Sequence, residues 1–188
     1  MPYPIVLEQE YIKINLLEKG EYELCVFRSC NFSNVDISHF KFMECEFIDC
    51  DLSSSNIFGS SFQEMRFEDC KMLGIRFDLC DSFGFSVEFI NCQMIHSSFY
   101  QVKTTNCSFL NCNLKEVDFS EADLSKVNLD NCDLSGAVFS RSNLEKSNFT
   151  TAYNYSIDPE DNKMRSASFS MPALTGLLDK YQLKISNR

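Results

Sequence analysis

Ten cysteines and two histidines are the side chains of this 188-residue sequence best suited to metal binding, redox or nucleophilic chemistry. The cysteines are Cys25, Cys30, Cys45, Cys50, Cys70, Cys80, Cys92, Cys107, Cys112 and Cys132, and all share one phase of a five-residue spacing that shifts by two residues after Ser82. Thiols repeated in this way belong in a dry core, where they act as small hydrophobes with raised pKa values. His39 and His96 fall on outward positions of different repeats and offer the thiols no support. No Ser/His/Asp, Cys/His or paired-carboxylate site can be assembled from what the spacing leaves outside, and Gly-rich phosphate loops are absent. The expectation is a protein with no catalytic site, metal or cofactor.

The elements that place these residues follow from the same period. Every fifth residue from Ile12 is apolar: Ile12, Leu17, Tyr22, Phe27, Phe32, Ile37, Phe42, Phe47, Leu52, Ile57, Phe62, Phe67, Met72 and Phe77. The series resumes as Phe89, Met94, Phe99, Thr104, Phe109, Leu114, Phe119, Leu124, Leu129, Leu134, Phe139, Leu144 and Phe149. The cysteine phase lies two residues before these centres. Period five fits neither a helix nor a plain strand, so the chain must turn a corner in each repeat and show two residues inward. Phe occurs 18 times and Trp not at all, as expected if one kind of slot is filled again and again.

The segments Ala122-Asp123-Leu124-Ser125-Lys126 and Cys132-Asp133-Leu134-Ser135-Gly136 resemble the pentapeptide-repeat family, whose consensus is roughly A(D/N)LXX; the resemblance covers about residues 12–153. It implies an all-β fold, a right-handed quadrilateral parallel β-helix. Reading at intervals of twenty, with two extra residues between Ser82 and Val87, tests four-sidedness independently. One side then stacks Phe27, Phe47, Phe67, Phe89, Phe109, Leu129 and Phe149, and the next stacks Cys30, Cys50, Cys70, Cys92, Cys112 and Cys132. With the cysteine side counted first, about seven turns make a rod on the order of 34 Å long.

Residues 1–153 are expected to be this coil, with Pro2 to Glu10 as an N-terminal cap, 154–168 a linker containing the polar turn 158–162, and 169–188 a short C-terminal helix and strand. Leu174, Leu177, Leu178 and Tyr181 recur at i, i+3, i+4 and i+7 over Pro172 to Tyr181, with Ser170 as N-cap. This stripe suits either a dimer interface or a cap on the rod's own end. Leu183 and Ile185 alternate as a strand would. Ser82 and Thr104, polar at centre positions, are expected to stack on one side and bond to each other or to the bulged backbone. The bulge Phe83-Gly84-Phe85-Ser86 either displays an aromatic or packs it.

Net charge is −10, which disfavours nucleic acid as a ligand and suits a basic partner. The first residues lack a signal-peptide pattern and no apolar run approaches the ~20 residues of a membrane span, so a cytoplasmic protein is expected. The larger share of the charge falls on the neighbouring third and fourth sides. The acids there that could contact a partner are Glu44, Glu46, Asp49, Glu64, Glu68, Asp69, Asp81, Glu88, Asp123 and Asp130. Asp or Asn before each centre is also a turn former, which is the competing reading of such acids. The overall plan, including Met72-Leu73-Gly74-Ile75 and Leu177-Leu178-Asp179-Lys180-Tyr181, is most similar to the DNA-mimicking members that bind type II topoisomerases: the Qnr quinolone-resistance proteins, MfpA and the microcin immunity protein McbG. That resemblance implies a homodimer that binds DNA gyrase or topoisomerase IV, inhibiting it or protecting it from quinolones or peptide toxins. The alternative is a non-catalytic scaffold for other protein–protein contacts.

Overall fold

The computed structural model describes residues 3–185. Its strands are β1 (Ile5–Leu7), β2 (Glu10–Ile12), β3 (Glu21–Glu23), β4 (Val26–Arg28), β5 (Lys41–Met43), β6 (Glu46–Ile48), β7 (Ser61–Gln63), β8 (Met65–Glu68), β9 (Val87–Ile90), β10 (Ser108–Leu110), β11 (Asn128–Asp130), β12 (Asn148–Phe149) and β13 (Ser168–Phe169). All pairings are parallel. The third wall is β1-β3-β5-β7, and the fourth runs β2-β4-β6-β8-β9-β10-β11-β12-β13. The first and second walls are held by single-residue bridges such as Asn31↔Asp51↔Lys71↔Gln93 and Arg76↔Ser98↔Asp118. Partners lie twenty residues apart, except in the first turn, where they lie sixteen apart, and across the register break, where they lie twenty-two apart. The chain is therefore a four-walled parallel solenoid.

Most corners are closed by a residue in the left-handed region, for example Ser29 (φ 50), Asp49 (φ 53), Asp69 (φ 55) and Asn111 (φ 55). That conformation costs an L-residue about 1–2 kcal/mol, and side chains on the walls help offset it. Asp51 Oδ1 accepts the Ser53 N–H at 2.9 Å, as Asp123 does from Ser125 at 3.1 Å and Asn148 from Thr150 at 3.0 Å. This is the physical content of Asp or Asn before the centre.

Inside, the phenylalanines form columns. Phe27–Phe47 and Phe47–Phe67 stack with centroids 4.4 and 5.0 Å apart, and Phe67–Phe89 spans the register break at 5.7 Å. Nine cysteines are buried and Cys80 is half-buried, all with free thiols. Cys70 Sγ donates to Phe47 O at 3.3 Å, and Cys92 to Phe67 O at 3.4 Å. Ser60, Ser97 and Ser142 occupy the equivalent slot and donate to Ile37 O, Met72 O and Phe119 O. Where the slot holds Cys or Ser, its side chain thus ties one turn to the turn before it; elsewhere it holds apolar residues such as Phe40, Met65 and Val117. Burial pushes the Cys45 and Cys107 thiols up to about 12; a hydrogen bond with Cys132, and then burial, does the same to Cys112.

Several expectations are corrected. Ile5–Leu7 and Glu10–Ile12 are strands of the first turn rather than a separate cap, and Pro2 lies outside the described residues. That turn takes only sixteen residues (Tyr11↔Phe27), which moves the register by one. Tyr11 therefore points inward and stacks on Phe27 at 5.0 Å, while Ile12 is 56% exposed. Residues 154–168 are not a linker but a further turn, with Asn143↔Lys163 and Phe149↔Phe169 continuing the ladders. The coil consequently has about eight turns, one more than the period suggested.

At the break, Ser82 is exposed, and the inserted pair lets Phe85 turn into the core, 6.1 Å from Phe77. Thr104 is buried and bonds instead to Asp123 O at 3.0 Å. Residues Met171–Leu177 and Asp179–Tyr181 are 3₁₀ helices, and Ser170 makes no side-chain cap. The Gly176 carbonyl accepts the Ile157 N–H at 2.9 Å, so it is withheld from an α-helical bond. Leu183 and Ile185 are not in a strand, and 186–188 lie outside the described residues.

Replacing Phe67, which is 0% exposed, by Ala is expected to cost about 3–5 kcal/mol in urea unfolding, because ladder-locked walls cannot collapse around the cavity. A loss below about 1 kcal/mol would contradict the column. The thiols generate a pH prediction. They stay protonated in the folded protein beyond the value near 9.0 at which they ionise when unfolded, so their contribution is complete below about 9 and lost between 9 and about 12. The urea midpoint should fall from pH 8 to pH 10, and fall less when Cys45, Cys107 and Cys112 are replaced by Ser. An equal fall in both proteins would refute the assignment.

Candidate functional site

The repeat turns the outer surface into a lattice whose rungs are about 4.8 Å apart, so any residue stands directly over the one twenty positions earlier. Where neighbouring rungs both bear charge, the sequence usually alternates it. Lys41 pairs with Glu21 at 2.8 Å, Arg28 with Glu10 at 2.8 Å, and Arg141 stands over Glu121. Polar rows stack as amide ladders, as in Asn91–Asn111–Asn131, where each side-chain N–H donates to the oxygen one rung back at 2.9–3.0 Å.

The ten acids singled out from the sequence fall into three groups. Asp81 and Asp123 are turn formers, accepting Phe83 N at 3.0 Å and Ser125 N at 3.1 Å. Asp130, two rungs beyond β9, accepts the Thr151 hydroxyl. The other seven, Glu44, Glu46, Asp49, Glu64, Glu68, Asp69 and Glu88, lie together on the fourth wall and its two corners, within the turns spanning residues 41–90. Beyond them the rows become Ser108, Asn128 and Asn148 along the wall and Asn91, Asn111 and Asn131 along the corner. Acidity is therefore graded along the rod as well as around it. Grouping residues by wall conceals that gradient, although reading each row at intervals of twenty shows it in the sequence.

Glu46, Glu68 and Glu88 are not an uninterrupted acidic row. Arg66 sits on the rung between Glu46 and Glu88, with Nη1 2.7 Å from Glu88 and Nη2 3.1 Å from Glu68. The Glu68 carboxylate, with that of Glu88, holds the Arg66 guanidinium pKa above its usual value. The corners differ from this. Glu44 and Glu64 stand on adjacent rungs at left-handed positions, exposed, and neither has an ion-pair partner among the described residues. Asp49 and Asp69 repeat the arrangement on the opposite corner, where Ser29 and Asn91 donate to them at 2.9 Å.

His39 packs against Phe58 at 5.4 Å and His96 lies 3.2 Å from Glu116, on different walls. Among the described residues no group of three His, Cys, Asp or Glu side chains is placed to hold a metal ion, and no helix is long and apolar enough to cross a membrane. The bulge divides its two aromatics, Phe85 buried and Phe83 77% exposed. Beside it opens a groove of about 700 Å³ whose lining includes Arg76, Phe77, Asp78, Phe85, Tyr100 and Lys103. The C-terminal stripe is partly spent within the chain. Ala173 and Leu177 pack against the core, Gly176 lies against Tyr155, and Tyr181 Oη donates to Glu160 at 3.0 Å, while Leu178 remains 37% exposed.

Residues 85–153 match the family model described as a pentapeptide repeat region. No curated protein sequence matches the chain. Among solved structures, QnrB1, a plasmid-mediated fluoroquinolone resistance protein, is similar at 17% identity, with 96% of this chain and 100% of that one covered and a TM-score of 0.48. HetL, a pentapeptide repeat protein involved in heterocyst differentiation regulation in the cyanobacterium Nostoc, is similar at 14% identity, with 91% and 86% covered and a TM-score of 0.45. These likenesses are too distant to transfer a partner. Residues 85–153 are thus a pentapeptide repeat region, and the five-residue period of the sequence continues on their N-terminal side.

Proposed function

We propose that this is a binding protein whose acidic corners imitate duplex phosphates, and that it occupies the DNA-binding surface of a type II topoisomerase. One observation carries the reading. Glu44 over Glu64 and Asp49 over Asp69 place like negative charges on adjacent rungs at both corners of one wall, an arrangement that destabilises a sheet, in a surface that mostly interleaves its charges, Lys126 over Lys146 being the basic exception. A fold that tolerates this self-repulsion retains a strong local negative potential, which attracts a basic groove and speeds encounter. Seven acids over a few turns match about half the rod, so the contact covers the half containing residues 41–90 and leaves the Asn- and Ser-rich half outside. B-DNA carries a charge every ~1.7 Å, against one acid per ~4.8 Å rung on each corner, so the imitation is of potential rather than of atoms.

The second reading, a scaffold for another protein, draws on Phe83 and the adjoining groove, which offer an apolar anchor with no electrostatic requirement. Charge reversal separates the two. Glu44→Lys, Glu46→Lys and Glu64→Lys together, none of them the partner of a cation, are expected to weaken binding to purified gyrase or topoisomerase IV by tenfold or more, on the order expected for lost steering. They should also abolish any effect on supercoiling, with or without a quinolone. Asp36→Lys, Asp51→Lys and Glu116→Lys, on the first two walls, are the control and should change binding less than about threefold. Equal losses in both sets would reduce the effect to net charge. If neither triple weakens binding but Phe83→Ala does, the scaffold reading replaces the mimic.

A further inference from the structure

Three walls carry their ladders past the register break, through Lys71↔Gln93, Arg76↔Ser98 and the pairing of β8 with β9, but the third wall opens there. Elsewhere on that wall the residue before each centre is bonded to both neighbouring rungs. Asp123 N–H donates to Val102 O and Thr104 N–H to Asp123 O, both at 2.9 Å, and Asn143 repeats the pair with Ala122 O (2.9 Å) and Leu124 N–H (2.8 Å). Between the rungs of Asp81 and Lys103 neither bond is made. Among the described residues the Cys80 C=O, the Ser82 N–H, and both the N–H and the C=O of Lys103 have no hydrogen-bond partner. Because Val102 and Thr104 use their groups on Asp123, the pleat turns both main-chain groups of Lys103 toward the opening. The opening is the groove of about 700 Å³, with Phe77, Phe85, Tyr100 and Val102 as its apolar lining.

We infer that this groove docks an extended, uncharged segment of a partner protein, which makes with Lys103 the single-residue bridge that the coil leaves unmade. The free groups select that occupant. A donor and an acceptor side by side on one extended residue are matched by the main chain of another extended segment, the chemistry by which peptides add to a sheet. The first and second walls are themselves held by such single-residue bridges. In the coil the residue that donates to the rung above turns its side chain inward, as the buried Thr104 does, so the segment's corresponding residue faces the apolar lining and is apolar. Charge points the same way. Arg76, Asp78, Asp81 and Lys103 bring two charges of each sign to the groove. Arg76 pairs with Asp78, whereas Asp81 and Lys103, on consecutive rungs of one row, do not close on each other as Lys41 and Glu21 do at 2.8 Å. A groove of zero net charge on a molecule of net charge −10 favours a neutral segment, not the basic surface that the acidic corners attract. The site therefore stands independently of what those corners bind.

The probes are capped pentapeptides in which serine and threonine flank a central valine, leucine, phenylalanine or tyrosine. Cys80 lines the groove and is the one cysteine of the ten that is not fully buried, so its alkylation in the full-length native protein, read by mass spectrometry, reports occupancy. At least one probe should slow that alkylation saturably. N-methylating the central residue deletes one main-chain donor and keeps the side chain, and should weaken binding by about tenfold. Lys103→Pro removes the protein's own free donor without breaking an existing bond, and should weaken the unmethylated probe to a similar degree; the N-methyl comparison decides the matter should that variant fail to fold. Raising salt, or combining Glu44→Lys, Glu46→Lys and Glu64→Lys, should change probe binding less than about twofold. The topoisomerase complex should weaken under both, so the two proposals fail separately. The inference is overturned if no probe slows Cys80 alkylation, if N-methylated and unmethylated probes bind equally, or if folded Lys103→Pro binds as the parent does.

Discussion

The chain must turn a corner about every fifth residue, and most of these turns are made by a residue held near φ +50 to +70°, usually not glycine. At about 1–2 kcal/mol for each such residue, a coil of this length stores a large conformational cost. It is offset by the in-register ladder that joins every turn to its neighbours and by burial of two side chains per repeat. Because the corner recurs so soon, no wall holds a strand longer than four residues. Only the centre and the residue two before it can face inward. The composition follows from that limit: a bulky apolar residue, often Phe, at the centre, and in the second slot an apolar residue or a small donor such as Cys70 or Ser97 tied to a carbonyl of the previous turn.

The same lattice governs the surface. Residues twenty apart cannot avoid each other, so charge placement becomes a rung-by-rung problem, solved at Arg66 between Glu46 and Glu88 and at Lys41 over Glu21. Sites where it is left unsolved stand out against that background. Glu44 over Glu64 is such a site. Its acids make none of the turn-forming hydrogen bonds that occupy Asp51, Asp118 and Asp123. This separates acids retained for the fold from acids the fold does not need, a distinction that net charge alone hides.

The columns, the four walls and the cysteine slot were legible because they repeat, and a repeat multiplies a weak local signal. What escaped lay where the repeat is imperfect. Tyr11 rather than Ile12 enters the core because the first turn is four residues short, and both residues are apolar enough to fit either phase. Residues 154–168 read as a linker because Asn154 occupies a centre and Pro159 follows, yet main-chain pairing carries the ladder through Lys163 to Phe169 and Tyr155 fills the core in their place. The C-terminal stripe has helical spacing, but residues Met171–Leu177 form 3₁₀ turns and the Gly176 carbonyl bonds to Ile157 in the last turn of the coil. At the candidate site, the outward placement of the acids was legible from the sequence. Their pairing with Arg66 was missed because the acids were grouped by wall and not followed row by row, although the twenty-residue register already sets Arg66 between Glu46 and Glu88.

The register break shows how much irregularity such a rod can absorb. The extra pair enters where Leu79 has left the left-handed corner geometry for a short 3₁₀ turn, Phe77–Leu79, so the third wall has no bridge between Ser61 and Lys103. A gap there would admit water onto Phe77 and Phe62, but Phe85 turns in and closes it while Gly84, at φ +68, returns the chain to the wall over Gln63. The fourth wall passes the same level with its stack intact, Phe67 on Phe89 at 5.7 Å. One wall therefore keeps the rod continuous while its neighbour is opened, which leaves Phe83 projecting beside a groove at mid-length and adjacent to the acidic turns. A partner bound to the acidic corners would lie close to this aromatic. Long-range charge could then bring it to the rod, and a short-range apolar contact could fix its position along an otherwise repetitive lattice.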